Sequence, residues 1–191
     1  MLKALRWYQP EEADAWWEQC SQRLHSDHLT RLYRALHTIS RGKLREGFRL
    51  REAMMATMSR NRRTTMEPPR DIPEWTRQPL KEKSIAIWSE FGLGDEIFFM
   101  RFARIFREES GAARVVLVCH APLVELYEAS GEADQVVDSA NAANFSGVDY
   151  WVFPHAIPAH LPLDLESLPS TVPYLRTAEH VPSKLPIVEK N

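Results

Sequence analysis

Residues 84–110 read SIAIWSEFGLGDEIFFMRFARIFREES, and this stretch decides the fold. Ser84 to Trp88 form a short, nearly continuous apolar run of the length and composition of a buried strand. FGLGDE then supplies a tight turn, and IFFMRFARIFREES a helical run that stops at Gly111, a residue suited to the left-handed C′ position. Working outward, RVVLVCH (114–120) is a second buried strand. Pro122 suits the first turn of a following helix through Ala129, and Gly131 closes it. QVVD (135–138) and DYWVF (149–153) give two further short strands. Strands without polar alternation, separated by helices, predict an α/β architecture: a Rossmann-like parallel sheet with helices covering both faces.

Upstream, the periodicity changes to three- and four-residue steps. Ala13, Trp16, Trp17, Cys20 and Leu24 fall on one stripe of a helix over Glu11 to His25. From Asp27, a plausible N-cap, Leu29, Leu32, Tyr33, Leu36 and Ile39 mark a second helix that ends at Gly42. Leu44, Phe48, Leu50, Met54 and Met58 mark a third. The second and third read as a helical hairpin. Residues 59–83 are broken by Pro68, Pro69, Pro73 and Pro79 and serve as a connector, with Trp75 as an anchor that would otherwise leave much apolar area in water. After Phe153 prolines recur too often for a long helix, which predicts a shaped loop. The organisation expected is therefore a helical segment over 1–58, a connector over 59–83, an α/β domain over 84–175 and a tail over 176–191.

Composition narrows the class. A hydrophobic share of 44% and a charged share of 26% are globular values, and a net charge of −2 gives no general attraction to nucleic acid or anionic lipid. No run reaches the ~20 apolar residues of a spanning helix, no signal-like segment opens the chain, and Cys20 and Cys119 look like ordinary reduced cysteines. The expectation is a cytoplasmic protein without a transmembrane segment or a nucleic-acid partner.

Chemistry is expected where the first strand meets its helix, because ligands of open α/β sheets gather at such carboxyl-end loops. Gly92 and Gly94 would allow a sharp turn and close approach of a ligand, while Asp95 would sit at the positive end of the helix, where its ionised form is favoured. As an ionised carboxylate Asp95 is a candidate general base; the alternative is a simple helix cap. Dinucleotide binding would want a glycine where Ile97 stands, and a phosphate-binding Walker loop would need Gly-Lys-Ser/Thr, so neither pattern is met.

In IWSEFGLGDEIFFMRF the chain resembles bacterial tetratricopeptide-repeat proteins that carry a heptosyltransferase-like glycosyltransferase domain, whose first strand runs into a Glu-Gln-Gly-Leu-Gly-Asp loop. RGKLREGFRLRE resembles that family's repeat helix, and EWTRQPLKEKSI its Trp-x-Gly-x-x-Leu lead-in to the domain. APLVELYEASGEADQVV and LESLPSTVPYL continue the likeness, which spans about Leu29 to Leu175. The resemblance implies half of a two-domain GT-B fold, the half that receives a sugar or glycoconjugate acceptor, with Asp95 at the position of the base proposed for related enzymes. The sugar nucleotide would be held by a second, donor-binding half outside this stretch, reached through a donor-domain partner or self-association, and no cofactor or metal is implied. Phe91 stands where the family has a polar residue, and Thr76-Arg77 where it has a glycine-containing lead-in. The alternative is a noncatalytic binding or scaffold module.

The remaining candidates are weaker. Glu96 beside Asp95 joins Gly92 and Gly94 as a substrate-binding candidate; His155 and His160, in the later loop, could face the same carboxyl-end cleft or be ordinary loop histidines, and His155 is the one taken as substrate-binding. His25 and His28 lack the partners of a metal site. Arg101 and Arg104 share a helical face that would suit an anionic acceptor or simple pairing with Glu108, and Arg60, Arg62 and Arg63 read as a solvated connector.

Overall fold

The computed structural model describes residues 9–21, 28–59, 62–64, 66–170 and 172–176. Asp27 and His25, and nearly all of the predicted tail, lie outside them. Three helices come first: α1 (Pro10–Ser21), α2 (His28–Ser40) and α3 (Leu44–Met55). The turn between α2 and α3 passes through Gly42, whose φ of 77° is cheap only for glycine. Gly47 then lets the two helices touch, since a Cβ there would lie 2.5 Å from the Ile39 side chain and 2.8 Å from its backbone nitrogen. Asp14 of α1 meets His37 of α2 and Arg41 in the turn that follows it. The third helix ends at Met55 rather than Met58, where the chain turns.

Four strands follow: β1 (Ser84–Ile87), β2 (Arg114–Cys119), β3 (Gln135–Asp138) and β4 (Tyr150–Val152). They form one all-parallel sheet in the order β3-β2-β1-β4, with Ile85 opposite both Val115 and Tyr150. The mixed α/β, Rossmann-like character expected from the sequence is what the structure has. The helices between the strands are α4 (Leu93–Met100), α5 (Ala103–Ser110) and α6 (Val124–Ser130), with a short α7 (Ile157–His160) after β4. Gly111 and Gly131 end α5 and α6 in the left-handed conformation, at φ 65° and 68°.

Two expectations need correction. The single helix predicted over 97–110 is broken at Arg101–Phe102. The chain turns there through a Phe102 N–H to Phe99 O bond, and the Tyr174 hydroxyl donates to the Ile97 carbonyl in the turn before, at 3.1 Å. Helices also fail to cover both faces of the sheet. On one face Ile85, Ile87, Val115, Leu117 and Val152 pack with Phe99, Phe102, Phe106, Leu123 and Tyr127 of the helices, and with Leu44 and Phe48 of α3. On the other, Ala86, Trp88, Val116, Val118 and Trp151 are covered by Met66 and Ile72 of the connector and by Ala142 and Phe145 of a 3-10 segment. Trp88 and Trp151 hold this cover by donating their indole N–H groups to Met66 O and Ile72 O. Two large rings with buried donors need such partners, so the prolines of the connector do not make it loose.

The proline-rich stretch after Phe153 begins as core: Phe153, Ala156, Ile157, Ala159 and Leu161 are buried and α7 packs against α3, whereas from Asp164 the chain runs largely exposed, with Leu165 and Val172 in solvent. Trp75 is buried against Phe106 and His160, and its indole N–H donates to Gln78 O.

Candidate functional site

The sheet order sets the carboxyl ends of β1 and β4 side by side, at the place where the chain, having run outward from β1 through β2 and β3, crosses back to the other side of β1. Open α/β sheets bind ligands at this kind of switch point. Glu90 follows β1, His155 follows β4, and Asp95 stands in the first turn of α4, so three chain segments deliver the three groups to one place.

They form a chain with Arg63. The Arg63 Nε–H donates to Glu90 Oε1 at 2.7 Å, His155 Nδ1 lies 2.7 Å from Glu90 Oε2, and His155 Nε2 lies 3.3 Å from Asp95 Oδ1. The His155 backbone N–H also donates to Glu90 Oε2, at 3.2 Å. The side chains of Glu90 and His155 are fully buried and that of Arg63 nearly so, whereas that of Asp95 is 51% exposed. Burial by itself would raise the Glu90 carboxyl, but the hydrogen bond and charge of His155 together with the Arg63 guanidinium outweigh it and hold the group below the ordinary carboxylate range. Glu90 Oε2 holds both the backbone N–H and the Nδ1 side of His155, so the imidazole has a set orientation. Phe99 and Phe91 pack on the ring at 3.9 and 5.0 Å between centroids.

The loop is shaped differently from the way its glycines suggest. Gly92 is extended (φ −119°, ψ 172°), and a Cβ on Gly92 or Gly94 would meet nothing within 4 Å. The left-handed residue is Phe91, at φ 60°, its N–H held by Arg63 O at 2.6 Å. That conformation costs a non-glycine residue about 1–2 kcal/mol. The two glycines therefore leave open space over the helix start, and neither is needed for the turn. Asp95 is the third residue of α4 and no side chain caps that helix, so the simple cap reading does not describe it. Its carboxylate points to His155 instead.

Glu96 is buried and faces the other way. It accepts from Ser89 Oγ at 2.5 Å, from the His120 backbone N–H at 3.1 Å, and stands 2.9 Å from His120 Nδ1. Ser89, His120 and Glu96 have the residue types of a nucleophilic triad without its geometry. Serine and carboxylate both meet Nδ1, and Ser89 is 1% exposed. Glu96 thus fixes the ends of β1 and β2 to α4 rather than facing a ligand.

Of the sequence candidates, Asp95, Gly92 and Gly94 share an open shelf, His155 lies buried behind Asp95 with both ring nitrogens engaged, and Glu96 is turned inward. Arg63, which the sequence places in a solvated connector, is instead 4% exposed, stacks over Phe153 at 4.3 Å and carries the ion pair to Glu90, while Arg62 is exposed and Arg60 lies outside the described residues. Glu90 is a site residue that the sequence reading misses. A glutamate at the end of an apolar strand, two residues before a glycine, was the signal available. Arg101 lies between the Phe98 and Tyr174 rings, at 4.7 and 5.0 Å, and Arg104 pairs loosely with Glu108 at 3.8 Å. Among the described residues, no group of three or more metal-ligating side chains is assembled, and no helix is long and apolar enough to cross a membrane. No family model, curated protein or solved structure matches the chain.

Proposed function

We propose that this chain is the acceptor-side half of a heptosyltransferase-like glycosyltransferase of the GT-B type, with Asp95 as general base. The observation that carries the reading is that Asp95 is the half-exposed end of an otherwise buried chain, Arg63–Glu90–His155, at the switch point of a parallel sheet. A carboxylate held there, in the first turn of an uncapped helix, faces the positive end of the helix dipole, and its contact with His155 Nε2 sets its direction. It takes the proton of an acceptor hydroxyl as that oxygen bonds to the anomeric carbon. The glycosyl–phosphate bond of the sugar nucleotide breaks and the nucleotide leaves with the electron pair. The open space above Gly92 and Gly94 gives the acceptor room. The sugar nucleotide belongs to a donor-binding half provided by further chain or by a partner. The α2–α3 pair, closed at Gly47, reads in the same scheme as a tetratricopeptide-like hairpin fixed to the acceptor domain through Leu44 and Phe48.

The test is transfer from candidate sugar nucleotides to candidate acceptors, with the chain combined with its donor-binding half. Removing a positioned base costs about 10²–10⁴ in rate, so Asp95→Asn should lose transfer while its unfolding curve stays close to that of the parent. Transfer undiminished in Asp95→Asn removes the base and with it this reading.

A further inference from the structure

A second pocket, sharing no residue with the Asp95 shelf, lies where α3, α5 and α7 meet the connector. It holds about 250 Å³, opens to solvent past the exposed Arg49, Arg77 and Glu109, and has Trp75, Phe106, Ser110 and His160 in its lining. Arg77 has φ 81°, a left-handed conformation that an arginine adopts only at a cost. An arginine kept in a strained conformation draws attention to its side chain. The Arg77 Nε–H donates to His160 Nδ1 at 2.7 Å, and its Nη2 reaches Ala159 O at 3.5 Å, so the guanidinium is oriented.

Burial, with Arg77 and Arg49 beside it, draws the His160 imidazole down to about 4. The ring is therefore neutral at physiological pH. With Nδ1 accepting from Arg77, its proton is on Nε2, which is a hydrogen-bond donor. Trp75 braces the ring edge-on at 4.9 Å. Among the described residues neither Arg49 nor Arg77 is in a salt bridge with a carboxylate, and Glu109 is the one acidic residue in the lining. Two arginines, a serine hydroxyl and a neutral histidine thus surround a small space with one negative charge at its margin.

We propose that this pocket binds a phosphate group, held between the Arg49 and Arg77 guanidinium groups. Planar guanidinium forks match phosphate oxygens in pairs, and the volume admits a phosphate with a small ester substituent lying toward Trp75 and Phe106. The site is independent of the glycosyl-transfer reading and stands whether or not that reading holds.

The experiment is calorimetric titration of the full chain with inorganic phosphate and, separately, with glycerol phosphate, at fixed ionic strength against chloride. Saturable one-to-one binding is expected; tighter binding of the ester assigns the site to a phosphorylated metabolite, and equal binding to free phosphate. Arg77→Gly is the informative variant, because glycine relieves the backbone while deleting the guanidinium. It should melt at the same temperature as the parent or higher and bind at least about tenfold more weakly, the loss expected for hydrogen bonds to a charged group. Arg49→Gln should weaken binding likewise. No binding beyond the chloride control, or equal binding by parent and Arg77→Gly, overturns the proposal.

Discussion

Replacing Glu90 by glutamine tests the centre of the site with the smallest change of shape. Both carboxylate oxygens accept: Oε1 takes Arg63 Nε–H, and Oε2 takes the His155 backbone N–H and faces His155 Nδ1. A glutamine must turn its NH₂ toward one of these donors, so at least one donor loses its acceptor whichever way the amide is flipped. Arg63, 4% exposed, also loses its counter-charge, and its Nη2 already has no partner. Removing one member of a buried ion pair typically costs about 3–5 kcal/mol. At about 2–4 °C per kcal/mol for a chain of this size, the midpoint should fall by roughly 6–20 °C. Urea unfolding at pH 7, followed by tryptophan fluorescence and by circular dichroism, measures the change. Because the folded Glu90 carboxyl lies below its unfolded value, its contribution is whole above the unfolded value of ~4.3 and fades as pH falls through the lower folded value. The gap between parent and Glu90→Gln should therefore be full at pH 7 and narrow in that acid range. A loss below about 1 kcal/mol at pH 7, or a gap that widens in acid, would show that the chain from Arg63 to Asp95 is not held as described.

Two glycine substitutions separate packing from ligand space. Gly47→Ala should destabilise by about 1–3 kcal/mol, the usual cost of overpacking, because its methyl meets Ile39 at both side chain and backbone; thermal melts check it, and an unchanged midpoint would mean α2 and α3 do not approach so closely. Gly94→Ala should instead leave stability unchanged or raise it by about 0.5–1 kcal/mol, as alanine does within a helix, while reducing any transfer activity. A clear destabilisation there would return Gly94 to a conformational role.

Much of the fold was legible because its signals are local. Short apolar runs alternating with helical periodicity specify a parallel sheet whatever surrounds them, and Gly111 and Gly131 end their helices through backbone preferences that need no tertiary partner. The carboxyl-end loop and its aspartate followed from the same reading. The stop of helix α4 at Met100 was not legible in its own apolar run, which continues through Phe102 without a breaker.

The order of residues along the chain thus determined the elements, their parallel pairing and the position of Asp95 at a strand–helix junction. The tertiary structure decided which of the polar residues have a part in the site. Arg63 and Glu90 stand 27 positions apart, and His155 is 65 beyond Glu90. No periodicity connects them. Their pairing arises because burying a charge is tolerable only beside an opposite one, and the fold alone determines which charges are buried together. By the same rule a basic run that looked solvated supplied the innermost arginine, and a histidine that looked free to meet a ligand was fixed behind the aspartate that remains exposed.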